Sequence, residues 1–131
     1  MNKKAEFGGL LLRIVLGIIF IGHGADKFQG GISNTVQWFD SIGLPGFLAY
    51  MVATIEILGG IALVLGLATR IVGAIFILIL AGAIIKVQFA AGFIGGYAYD
   101  LALLVMSIYL LLSGSKLFAL DNLITKTKHH Y

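Results

Sequence analysis

Four long apolar runs leave this chain little choice of fold: residues 7–27, 47–68, 71–93 and 97–113 each approach the length of a bilayer-crossing helix. A helix rising 1.5 Å per residue needs about 20 mainly apolar residues to cross ~30 Å of hydrocarbon. The fourth run, beginning at Tyr97, is the shortest and is expected to continue toward Phe118. Strands are disfavoured, because the runs lack period-2 alternation and are too long. The expected fold is all-α: a polytopic membrane protein whose 131 residues form one antiparallel four-helix transmembrane bundle.

Composition agrees. The chain is 60% hydrophobic and 11% charged, against roughly 25% charged in soluble domains. A soluble fold of this size could not hide so much apolar surface, whereas a bundle in lipid has no need to. The N-terminus has one competing reading, a secretory signal, since Lys3 and Lys4 precede an apolar run. Arg13 interrupts that run, and Ile21-Gly22-His23-Gly24 offers no small-x-small cleavage site, so an uncleaved first span is expected.

The breaks between spans have turn chemistry. Gly66-Leu67-Ala68-Thr69-Arg70 reads as a tight turn, and Gly92, Gly95 and Gly96 interrupt the chain before the fourth span. Pro45 suits the start of the second span. The segment 33–43 reads either as an ordinary loop or as a short helix. In the second case Ser33 or Asn34 caps it, Gly43 ends it, and Trp38, Phe39 and Ile42 settle it in the headgroup region.

The net charge of +3 matters less than its placement. Lys3, Lys4, Arg70, Lys116, Lys126 and Lys128 flank one side of the expected bundle and only Lys27 the other. Basic flanks stay inside, so a cell-membrane protein with both termini cytoplasmic is expected. Phe28, Trp38, Phe47, Tyr50, Phe89, Phe93, Tyr97 and Tyr99 then collect at the outer boundary as an aromatic belt.

Arg13, Glu56, Lys86 and Asp100 lie within or near the hydrocarbon. Each costs roughly 2.5–3.5 kcal/mol at a helix centre, so they should face the bundle and find partners. Their neighbours support this: Arg13 shares a stripe with Gly17, Phe20 and Gly24, Glu56 has Ala53, Gly59 and Gly60 beside it, and Lys86 has Gly82, Ala83 and Ala90. Small residues mark faces where helices touch. Depth along the helices suggests two pairs, Arg13 with Glu56 and Lys86 with Asp100. His23, Asp26, Lys27 and Gln88 share the outer level, His23 as a boundary residue or a ligand, while His129 and His130 form a solvated tail. Such pairs can serve only to fix helix register. Glu56 carries the stronger functional reading, because a low-dielectric site favours a neutral carboxylic acid unless a cation pairs with it, and proton and ligand sites exploit that property.

Several chemistries are excluded. Cysteine is absent, which removes disulfides, thiolate zinc sites and thiol redox steps. Only His23 lies within a span, so a bis-imidazole haem is out, and no His-x-x-x-His supplies zinc. No glycine-rich loop joins a strand to a helix, and basic residues are too few for nucleic acid. Electron transfer would therefore rely on a diffusible cofactor such as a quinone, not covalently held, or on a partner protein. Apolar walls with a carboxylate, an arginine and a tyrosine such as Tyr97 suit a quinone head group.

The pattern resembles the DoxX family of small bacterial membrane proteins over most of the chain. The matching residues are Arg13 with Gly17 and Gly24, Lys27-Phe28, Gly43-Leu44-Pro45, Glu56 with Gly59-Gly60, and the Gly66 to Arg70 turn. Gly114-Ser115-Lys116 and Leu120-Asp121 resemble the family's ending. The resemblance implies a four-span oxidoreductase component. Some relatives are linked to a thiosulfate:quinone oxidoreductase, others to catechol and quinone resistance, including a branch encoded beside a catechol dioxygenase. Asp100 stands where many members carry a glutamate, and the family lends no established catalytic residues.

Three functions compete. A redox component would bind quinone or catechol-type aromatics, with Arg13 stabilising a phenolate oxygen and Glu56 exchanging a proton, and would pass electrons to a soluble or membrane redox partner. A non-catalytic subunit would anchor or assemble a soluble enzyme. A small proton-coupled exporter would use one membrane carboxylate, although such exporters usually place it in the first span. Assembly as a homo-oligomer is compatible with all three.

Overall fold

A computed structural model of the protein describes residues 3–114 together with Ala119 and Asp121. Lys116, Lys126, Lys128, His129, His130 and the expected continuation of the fourth span to Phe118 lie outside the described residues. Those described contain helices and no strands. Helix α1 covers Lys3–Gln29, α2 Ile32–Ser41, α3 Phe47–Leu65, α4 Thr69–Ala83 and α5 Ala98–Ser113. With the wider turns that extend α4 and precede α5, four helices are long and apolar enough to span a membrane: Lys3–Gln29, Phe47–Leu65, Thr69–Ala91 and Phe93–Ser113. One end of the bundle holds the start of α1 and the α3–α4 turn and is called proximal below. The distal end holds α2 and the α4–α5 connection.

The surface is apolar where a soluble protein would be polar. Leu58, Ile71, Leu78, Ile85 and Leu112 are each at least 62% exposed. In water such a surface would drive association; in a bilayer it is the lipid face. The interior is a narrow seam of Leu16, Phe20, Leu63, Phe76, Leu103 and Leu110, in which the Phe20 and Phe76 rings stack at 3.7 Å.

Lipid offers no hydrophobic drive between helices, so close backbone packing must hold α1 to α3. A methyl group added at Gly17 would lie 2.6 Å from the Gly60 carbonyl oxygen, and one at Gly24 2.6 Å from that of Ala53. Both contacts recur at a spacing of seven residues, which keeps one face of each antiparallel helix against the other. Helix α5 packs on α4 in a related way, Gly73 lying under the Ser107 carbonyl.

The connections follow local rules, with one departure. Helix α2 forms, but neither Ser33 nor Asn34 caps it. It starts after Gly31 at φ 89°, while Asn34 Nδ2 donates to the Gly30 carbonyl at 2.9 Å. The helix has already begun at Ile32, so Ser33 and Asn34 stand inside its first turn, past the cap position that Gly31 holds. Gly43, at φ 86°, ends α2: its N–H donates to Asp40 O and that of Leu44 to Phe39 O, the paired bonds of a left-handed glycine stop. Beyond Ala83, α4 widens into a π turn over Ile84–Gln88, and Gly92, Gly95 and Gly96 carry the non-helical bend before α5.

Because no side chain fits between Gly17 and Gly60, Gly17→Leu is expected to push α1 off α3 at a cost of about 1–3 kcal/mol or more. Detergent-titration unfolding followed by helical circular dichroism checks this. Gly22→Leu, with nothing within 4 Å of an added methyl, should leave the midpoint unchanged.

Candidate functional site

The buried charges separate toward the two ends of the bundle. Cα–Cβ bonds tilt toward a helix's N-terminus. In the antiparallel α1 and α3, Arg13 therefore leans proximally and Glu56 distally. The Gly17–Gly60 and Gly24–Ala53 contacts place residue 13 level with residue 64, about eight residues and ~12 Å from Glu56. The pairing of Arg13 with Glu56 expected from depth does not form. Glu56 instead pairs with Lys27, Nζ to Oε1 at 2.6 Å. Lys27 leans back along α1 while Glu56 leans toward it. The carboxylate side chain is 6% exposed and the lysine 25%, so the pair sits inside the bundle with the ammonium at its distal edge.

Arg13 belongs to a proximal clasp. It is 2% exposed, and a methyl added at Gly66 would lie 2.9 Å from its Nη1. The Asp121 carboxylate attracts it. That carboxylate also accepts the Ala68 N–H (2.6 Å) and the Thr69 N–H (3.0 Å), while the Asp121 N–H donates to the Gly66 carbonyl (2.9 Å). One anion thus caps the N-terminus of α4, where backbone N–H groups are otherwise unsatisfied. It also steadies Ala68, which holds a left-handed conformation at φ 51°.

Lys86 and Asp100 do not form the expected pair either. Asp100 feels His23 and Lys27 electrostatically, because α5 turns its first residues toward α1. Lys86 lies on the face of α4 that carries Ile79, Gly82 and Ala83, and lines with them a cavity that it shares with Lys27 and Glu56. His23 Nε2 lies 3.3 Å from the Tyr99 hydroxyl. Tyr97 packs with Phe89 and Phe93, at ring distances of 5.6 and 5.2 Å, away from this group. Among the described residues no three potential metal ligands converge.

The cavity is the central feature of the distal half. It has a volume of ≈ 480 Å³ between α3 and α4, closed over by Trp38, Phe39 and Ile42 of α2 and its end. Phe39, expected to face headgroups, is buried at 7% exposure. The walls are otherwise apolar, apart from Lys27, Glu56 and Lys86. An apolar space of this size with a few convergent polar groups is the usual form of a small-molecule site.

The DoxX family model matches residues 8–90, which contain the α1–α3 contact, the ion pair and the cavity lysines. The chain belongs to the DoxX family. It is 53% identical over 98% of its length, and 95% of the relative's, to a Bacillus subtilis protein named "Putative oxidoreductase CatD". An uncharacterized membrane protein of Mycobacterium tuberculosis is 30% identical over 89% of this chain and 81% of its own. The inner membrane protein YqjF of Escherichia coli is 37% identical over 53% of each chain. No solved structure matches. This DoxX-family chain is therefore a membrane protein with four spanning helices.

Sequence reasoning missed Lys27 as the partner of Glu56, Tyr99 beside His23, and Asp121 as a cap. The tilt of side chains toward helix N-termini was a usable signal for the first. The other two depend on tertiary register that no local pattern carries.

Removing one member of a buried pair strands the other. Lys27→Gln should cost more than Glu56→Gln, about 3–5 kcal/mol against about 1–3 kcal/mol, because the carboxylate is the deeper charge. The charge swap Lys27→Glu with Glu56→Lys should recover part of the loss. Unfolding midpoints of the two singles and the swap check this ordering. At the proximal clasp, Asp121→Ala should lower stability by about 2 kcal/mol through the lost cap; the same titration reads it.

Proposed function

We propose that this chain is the ligand-binding membrane component of an oxidoreductase, and that its ligand is a quinone- or catechol-type aromatic held in the distal cavity. The observation that carries this reading is the cavity itself. A space of ≈ 480 Å³, apolar on its walls, meets an ammonium–carboxylate pair and a second lysine. An aromatic ring fits such walls. Its oxygens need a donor in the oxidised form and a proton acceptor in the reduced form, and Lys27 and Glu56 offer both within one pair.

The roles follow from charge. Glu56 accepts a hydrogen bond, and then the proton, from a phenolic O–H. Lys27 and Lys86 hold the resulting oxygen anion in a low-dielectric site where a cation counts for more than in water. Arg13, buried in the clasp at the opposite end, serves the fold. Oxidising a quinol or catechol releases two electrons with two protons. The chain has no cysteine to take those electrons; a redox partner takes both, and Glu56 takes the two protons one after the other, releasing the first to water before it accepts the second. The name of the Bacillus relative points to the same reaction class. The basic residues Lys3, Lys4 and Arg70 at the proximal end favour a cytoplasmic position for it, which puts the cavity in the outer half of the membrane with α2 along the headgroups.

Trp38 is the sole tryptophan and lines the cavity, so its fluorescence reports occupancy. Purified protein in nanodiscs should show saturable quenching by 2,3-dimethoxy-5-methyl-benzoquinone or by 4-methylcatechol. Glu56→Gln, with helical content retained, should weaken binding at least tenfold, about 1.4 kcal/mol. Wild-type affinity from that variant would remove Glu56 from the site.

A further inference from the structure

Helix α3 is packed on α1 and α4 on α5, and the seam between α3 and α4 is open along one side. On α3, Leu48, Val52, Ile55, Gly59 and Ala62 recur at spacings of three and four residues. On α4 and its π turn, Val72, Phe76, Ile79, Ala83 and Lys86 do the same. These two stripes line two spaces in series. The distal one is the ≈ 480 Å³ cavity with Lys27, Glu56 and Lys86. The proximal one, ≈ 240 Å³, has no charged residue and runs between Ile55, Ala62, Val72 and Phe76. From Leu48 to Ala62 the seam is ~21 Å long at 1.5 Å per residue, about two-thirds of the hydrocarbon thickness.

The polarity of the two spaces differs sharply. Two lysines and one glutamate give the distal space one net positive charge facing its ligand. The proximal space can only receive hydrocarbon. Its floor is closed, because the Phe76 ring packs directly on the Gly59 backbone, where an added methyl would stand 2.8 Å from the ring. The rim, formed by Leu58, Ile75 and Leu78, faces the surroundings rather than the interior, so the seam opens sideways into lipid.

We infer that the ligand has two parts, an aromatic head with an ionisable oxygen in the distal cavity and a long aliphatic chain along the α3–α4 seam, and that it arrives laterally from the bilayer. This deepens the reading above and rests on it. A lipid-soluble tail gives the seam its occupant, and the net cationic head site distinguishes that occupant from neutral hydrocarbon. A free catechol would use only the distal half.

The test compares two benzoquinones with the same head, 2,3-dimethoxy-5-methyl-benzoquinone and its 6-decyl derivative, by Trp38 quenching in nanodiscs. Comparing each probe between wild type and variant cancels its partitioning into lipid. Ala62→Phe fills the proximal space away from the head. It should weaken the decyl compound at least tenfold and leave the tail-less one unchanged. Ile75→Phe, at the exposed rim, makes the same test in case Ala62→Phe does not fold. Equal effects on both probes, or on neither, would overturn the two-part ligand while leaving the head site standing. An absence of saturable quenching by either probe in the wild type would overturn the head site as well.

Discussion

Contact between the α1 and α3 backbones at Gly17–Gly60 and Gly24–Ala53 sets the geometry of the distal half, because it brings Lys27 within reach of Glu56. A membrane gives two helices no hydrophobic reason to associate. Their attraction comes from dense packing and from polar groups that lipid cannot satisfy, and here the two act together. The glycines let the axes approach, and the approach lets one deep carboxylate meet its counter-ion. A bulky residue at Gly17 would therefore disturb two sources of adhesion, although it touches only one of them.

An ion pair at this depth has a cost that a surface pair does not. Both charges lose water, and the Coulomb gain repays that only when geometry is tight. The 2.6 Å contact meets the requirement, and the partial exposure of Lys27 keeps its ammonium near polar surroundings. A pair so placed is also available for exchange: a ligand oxygen approaching through the cavity meets both members at once. Neither member is locked behind a wall of side chains.

What could be read without coordinates was what depends on local pattern. The four apolar runs specify helices by length alone, and Gly43 before Pro45 specifies a stop by backbone conformation. The identity of the polar residues inside the bundle was equally legible, since Glu56 and Arg13 stand among glycines and alanines. Their pairing was not. Depth alone joined Arg13 to Glu56, and only the direction of the Cα–Cβ bond, opposite in antiparallel helices, separates them. Lys86 illustrates a further limit. It stands on the stripe with Ile79 and Ala83 that any helical projection shows, but that this stripe meets α3 and Glu56 and not Asp100 of α5 is set by tertiary packing.

The two ends of the molecule divide the work unequally, and the division explains why so small a bundle can carry a cavity at all. At the proximal end Arg13 of α1, the α3–α4 turn, and Ala119 and Asp121 converge. That convergence ties the helices at the α3–α4 turn, where Ala68 is strained. The distal end is built from softer material: a short helix stopped by glycine, a π turn, and a bend through Gly92, Gly95 and Gly96. π turns recur at functional positions because they give up regular hydrogen bonding to re-aim side chains. Such irregular backbone is tolerable at membrane depth only where protein or a cavity covers it. A tightly tied proximal end lets the distal helices stay apart, and that separation forms the space in which Lys27, Glu56 and Lys86 meet.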